Sequence, residues 1–176
     1  MSFFPLAAVH FDHGDIDTFF SNIAEAFTQR GFVVCGVVQT RGEAGGECHC
    51  ADMDLTTFGS NRTFRISQPL GNGSRGCRLH PGALAECSAF LEQELEKGPD
   101  LLILNRFGRG ESEGRGFRDL MIRALALDIP VLTAVRPAYV ESWSEFGAGA
   151  AADLAMSLEA ALHWFDAIHP DCASAA

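Results

Sequence analysis

Short uninterrupted apolar runs alternate along this chain with longer stretches in which apolar positions recur every three or four residues. Residues 6–11 (LAAVHF), 32–39 (FVVCGVVQ), 100–105 (DLLILN) and 129–135 (IPVLTAV) are runs of the first kind and predict buried strands. Phe19, Phe20, Ile23, Ala24 and Phe27 recur at helical spacing, with Asp15 or Asp17 placed to cap the start and Gly31 to stop it. A second helix is expected from Pro81, carrying Leu84, Cys87, Leu91 and Leu95 on one side, and a third over residues 117–127. Residues 48–55 and 63–67 read as a hairpin or paired extended segments. Leu154, Leu158, Leu162, Phe165 and Ile168 predict one continuous closing helix around residues 153–168, after Trp143 and Phe146.

Uniformly apolar strands alternating with helices imply an α/β fold in three layers, a mostly parallel sheet flanked by helices on both faces. With no repeat, linker or low-complexity segment, residues 1–176 are expected to form one domain. Ligands in such sheets bind beyond the carboxyl ends of the strands. Those ends carry Phe11-Asp12-His13, Gln39-Thr40, Asn105-Arg106-Phe107 and Val135-Arg136.

Charge sharpens this picture. The formal net charge is -10, so no general phosphate-tracking field exists and nucleic acid is not expected as a partner. Yet residues 55–85 hold Arg62, Arg65, Arg75 and Arg78 and no Asp or Glu. Within them, Gly73, Ser74, Arg75, Gly76, Cys77 and Arg78 offer backbone N–H groups, a hydroxyl and two guanidinium forks suited to an oxyanion. A solvated hairpin whose arginines pair with acids elsewhere is the plainer alternative. A second basic cluster, Arg106, Arg109, Arg115 and Arg118, begins at the expected ligand edge beside Asn105. Glu111 and Glu113 read as partners for those arginines.

The turn after the first strand is where a nucleotide-binding protein places a phosphate loop, which needs glycines, a lysine and a Ser/Thr for magnesium. Residues 12–17 supply Asp12, Asp15 and Asp17 there, and the chain's only lysine is Lys97. Three carboxylates repel a triphosphate, so neither phosphoryl transfer nor a bound nucleotide is expected from this loop. Cys48-His49-Cys50 invites a metal reading, but no second ligand pair follows at zinc spacing, and free thiols fit better. Nothing reads as a membrane span, a basic n-region or a cleavage site, and six cysteines without an export signal suit a reducing cytoplasm.

Three motifs carry a family resemblance: Ile66-Ser67-Gln68-Pro69-Leu70-Gly71, Ser74-Arg75-Gly76-Cys77-Arg78-Leu79, and Leu104-Asn105-Arg106-Phe107-Gly108 extended by Glu111, Gly114, Gly116 and Arg118. With residues 50–55, 130–135, Trp143 and Phe146-Gly147, they make the chain resemble the bacterial domain of unknown function 2478 family. His80 departs from the acidic residue expected after Cys-Arg-Leu. The resemblance implies a P-loop-NTPase-like fold with a degenerate nucleotide loop, and an association with molybdenum uptake and molybdenum-cofactor functions.

Together these readings lead to a non-catalytic protein binding molybdate or tungstate for sensing, buffering or delivery. Gly73, Ser74, Arg75, Gly76, Cys77, Arg78, Asn105 and Arg106 are its expected ligand set, with no metal site and no nucleotide. Two alternatives stay open: a nucleotide-dependent phosphohydrolase or transferase using the same arginines, and a protein-interaction module with a vestigial pocket. A molybdenum-pathway protein is a possible partner, a homo-oligomer is compatible, and no membrane insertion is expected.

Overall fold

The computed structural model describes residues 4–41, 53–69 and 77–169. Its main sheet runs β4-β3-β2-β7-β8-β1-β9, from β1 (Leu6–His10), β2 (Val34–Arg41), β3 (Met53–Thr57), β4 (Thr63–Arg65), β7 (Leu101–Leu104), β8 (Val131–Val135) and β9 (Ala152–Leu154). The central strands pair in parallel, with Ala8 beside Thr133 and Gly36 beside Ile103. Only β3 and β4 run antiparallel, as an edge hairpin on β2. A separate ribbon pairs β5 (Ser67–Pro69) with β6 (Cys77–Leu79).

Helices cover both faces because successive residues of these strands point apolar side chains to opposite sides. Ala7, Val9, Ile103 and Leu132 pack under α1 (Ile16–Gln29) and α6 (Leu158–Ile168). On the other face Ala8, Val37, Leu104 and Val131 pack under α2 (Pro81–Leu95), α4 (Arg118–Ala126) and α5 (Val140–Gly147). Phe27 and Phe165, with ring centroids 4.5 Å apart, bind α1 to α6. The expected parallel sheet and its helices are present, and the four apolar runs lie within about two residues of β1, β2, β7 and β8; of the extended segment 48–55, residues 48–52 lie outside the described residues and β3 begins at Met53.

The closing helix is a correction. Residues 152–154 form the edge strand β9, and α6 starts afresh at Leu158 with Ser157 as its N-cap, accepting from Ala160 N–H at 3.1 Å. Ala148 adopts a left-handed φ of 46° after α5, which breaks any helical path into residue 152. The buried residues of α6 are Ala161, Trp164 and Phe165, while Leu158 is exposed. Among the described residues no helix is long and apolar enough to cross a membrane.

Candidate functional site

The turn from β1 into α1 is built by its acidic residues. Asp15 is the N-cap, accepting from Thr18 N–H at 3.0 Å and the Thr18 hydroxyl at 2.6 Å. Gly14, at a φ of 109°, supplies the left-handed conformation that brings the chain round to the cap. Asp17, in the first turn, accepts the backbone N–H of Gln39 at 2.8 Å and thereby ties α1 to the carboxyl end of β2. Its other oxygen accepts from Arg106 Nη2 at 3.0 Å. Burial pushes the Asp17 carboxyl above its ordinary 3.8, against the lowering effects of Gln39 N–H and Arg106.

A cleft of about 760 Å³ opens here, over the carboxyl ends of β1, β2, β7 and β8. Phe11, Gly14, Asp15, Asp17, Thr18, Gln39, Arg106 and Arg136 are among its lining residues. Arg106 enters just past β7, and its Nε is buried without a hydrogen-bond partner. Arg136 enters just past β8 and lies over the Phe11 ring, 5.2 Å from the centroid. The N-terminus of this 14-residue helix, capped by Asp15, carries partial positive charge. Helix end and guanidiniums together make a wall suited to phosphate oxygens.

The expected ligand set is only partly gathered. Arg106 lines the cleft and Asn105 is buried at the end of β7. Cys77 and Arg78 lie on β6, whereas Gly73, Ser74, Arg75 and Gly76 fall outside the described residues, as do Cys48, His49 and Cys50. The remaining arginines of the second cluster are engaged elsewhere. Arg109 and Arg115 pair with Glu113, and Arg118 donates to the Glu111 carbonyl at 3.2 Å beneath the Phe146 ring. Glu111 is a loop organiser rather than an arginine's partner, with Oε2 accepting Gly108 N–H at 3.0 Å and Oε1 accepting Phe117 N–H at 2.9 Å. His80, the departure from the family pattern, caps α2 by accepting from Ala83 N–H at 3.0 Å, work an acidic residue would also do.

Arg136 and Asp17 are the site residues missing from the expected set. Arg136 had a visible signal, since it directly follows an apolar strand run. Asp17 was visible as a carboxylate of the first loop, but its pairing was not, because its partners Gln39 and Arg106 are distant in sequence.

Among solved structures, the fold matches that of a human cancer-related nucleoside triphosphatase, with a TM-score of 0.58 at 15% identity, covering 97% of this chain and 98% of that one. It also matches THEP1 from Aquifex aeolicus, with a TM-score of 0.59 at 15% identity, covering 93% and 95%. The chain thus has a P-loop-NTPase-like α/β fold. In sequence it is 34% identical over 135 residues to the molybdenum import ATP-binding protein ModC 2 of Bradyrhizobium diazoefficiens. That match takes in 77% of this chain but spans only 15% of the relative's length.

These likenesses overturn the expectation that no nucleotide is bound, and with it molybdate or tungstate as the bound group: the relative is an ATP-binding protein and the fold is that of nucleoside triphosphatases. The physical reason lies in the cleft. The acidic turn was weighed by its own residues, but the fold sets Arg106 and Arg136 against it from two other strands. The match to the protein family of unknown function DUF2478 runs from residue 6 to residue 164, and the chain belongs to that family.

Proposed function

We propose that this protein binds a nucleotide by its phosphates in the cleft between the start of α1 and the ends of β7 and β8, in the service of molybdenum metabolism. The observation that carries this reading is the meeting of Arg106, Arg136 and the α1 N-terminus on one cavity. Arginine replaces the loop lysine as the phosphate cation and adds a planar fork of donors. The molybdenum connection is supported by the relative's role in molybdenum import, and a cytoplasmic setting by the nucleotide it would use.

The ribbon of β5 and β6 supports a contribution from the Ser74–Arg78 stretch. Ile66 N–H donates to Met53 O at 3.0 Å, and Met53 pairs with Arg41 at the carboxyl end of β2, so the ribbon is anchored on the cleft's own edge. Past β7 the chain places Asn105 and Arg106 rather than an acidic residue, whereas P-loop nucleoside triphosphatases hold magnesium with an aspartate. That favours binding with slow turnover. Hydrolysis at the same cleft is the second reading, favoured by the nucleoside triphosphatase among its structural neighbours.

Calorimetric titration with ATP, ADP and GTP tests the proposal. Arg106→Ala and Arg136→Ala should each weaken binding by about tenfold or more, the scale of a charge-assisted hydrogen bond. Arg123→Ala, outside the cleft, should leave it unchanged. If Arg78 shares the ligand, the Arg78→Ala/Arg106→Ala double variant loses less than the sum of the singles. Absence of nucleotide binding, or indifference to both cleft arginines, would sink the reading. Phosphate release at roughly 1–1000 per second would promote the hydrolase. For the molybdenum role, deleting the gene should lower molybdoenzyme activity under molybdate limitation.

A further inference from the structure

Arg106 does not stand open to a ligand. Its Nη2 donates to Asp17 Oδ2 at 3.0 Å, and Asp17 is held in place by Gln39 N–H at 2.8 Å on Oδ1. Both side chains are partly accessible, at 33% and 22%, so the pair forms part of the cleft wall rather than a sealed core contact. Among the described residues, the charged groups that share the cleft with Asp17 are Arg106 from the end of β7, Arg136 from the end of β8, and Asp15 two positions earlier at the cap of its own helix. Among the described lining residues, β2 contributes Val38, Gln39 and Thr40, and α1 the hydroxyls of Thr18 and Ser21. Among the described lining residues two arginines face two aspartates.

We propose that Asp17 is an internal competitor for the anion, occupying the Arg106 fork in the empty cleft and yielding it when phosphate binds. The inference rests on the phosphate-binding reading of the cleft. A phosphate group approaching Arg106 is repelled by the carboxylate that already holds this donor. Binding therefore couples to Asp17 either swinging off the guanidinium or taking up a proton. The unpaired Arg106 Nε marks a donor that the Asp17 contact leaves unused. The consequence is a ligand affinity that rises with acidity, the half-buried carboxyl being already disposed to hold its proton.

The test compares wild type, Asp17→Asn, Asp17→Ser and Arg106→Ala by calorimetry. Two probes are used: sulfate, whose charge is constant between pH 5 and 8, and ATP with and without magnesium. Asn keeps an amide oxygen for Gln39 N–H, and the Ser variant serves if the Asn variant does not fold. At pH 8 both Asp17 variants should bind sulfate and metal-free ATP about tenfold more tightly than wild type, within the usual range of coupling between sites. Wild-type sulfate affinity should climb toward pH 5 and the variants' should stay flat. Arg106→Ala should abolish both effects. Unchanged or weaker binding by the Asp17 variants, with wild type still binding ATP, overturns the competitor and leaves the cleft reading standing. Magnesium-dependent ATP binding lost on replacing Asp17 overturns it in favour of a supporting role. Failure of every form to bind either probe overturns both.

Discussion

Glu111 is buried because both of its carboxylate oxygens accept backbone N–H groups, those of Gly108 and Phe117. It thereby closes the loop that follows Arg106 back onto the start of α4. A Cβ on Gly116 would lie 2.2 Å from Glu111 Oε1, at a left-handed φ of 63°, so the motif's glycine and glutamate need each other. Glu111→Ala leaves two buried donors unsatisfied and should cost about 1–3 kcal/mol per group left unpaired, read by urea denaturation. If Glu111 were instead paired only with arginine at the surface, the loss would stay under about 1 kcal/mol. Cys35 and Cys87 are buried free thiols whose pKa values burial pushes up to about 12. At pH 8 they hold essentially no thiolate, so alkylation followed by peptide mass mapping should leave both unlabelled until urea unfolds the chain.

Among the elements, β2 joins the antiparallel edge hairpin to the parallel core. At its centre Gly36 takes a φ of 131° opposite Ile103, and a Cβ there would fall 1.8 Å from the Ile103 carbonyl oxygen of β7. The close approach of β2 to β7 requires the absence of a side chain. Gly36→Ala should therefore destabilise the fold by about 3 kcal/mol or more, a size reserved for core disruption and backbone strain. A calorimetric melting point within a few degrees of wild type would contradict this account.

For the whole molecule, a formal net charge of -10 gives an anion no long-range attraction, so any attraction to the cleft is local, from Arg106 and Arg136. The raised pKa of Asp17 has a definite sign for stability. Its folded carboxyl holds a proton more tightly than the unfolded one, so the stability it contributes is complete below about 3.8 and is lost as pH rises through the higher folded value. Relative to wild type, Asp17→Asn should gain stability between pH 4 and pH 7, the gain levelling off once the folded carboxyl is ionised. Urea denaturation at several pH values checks this. A constant difference across that window would show that Asp17 titrates alike in the folded and unfolded chains.

The order of strands and helices was legible because apolar runs such as LLIL and VLTAV have no exposed alternative: such runs must pair inside a sheet covered on both faces. The carboxyl-end cleft followed from that layering, and Arg106 with it. Residues 152–154 were misread because Ala, Asp and Leu carry no strand preference; β9 exists through its pairing with β1, where Asp153 also accepts from His10 Nε2–H at 2.6 Å. The pairing of Asp17 with Arg106, across 89 positions, was likewise invisible. Periodicity and local composition record what each segment must bury. Which charges then face one another depends on strand order, and so the acidic turn, repellent to phosphate when read alone, comes to share a cleft with Arg106 and Arg136 only in the tertiary structure.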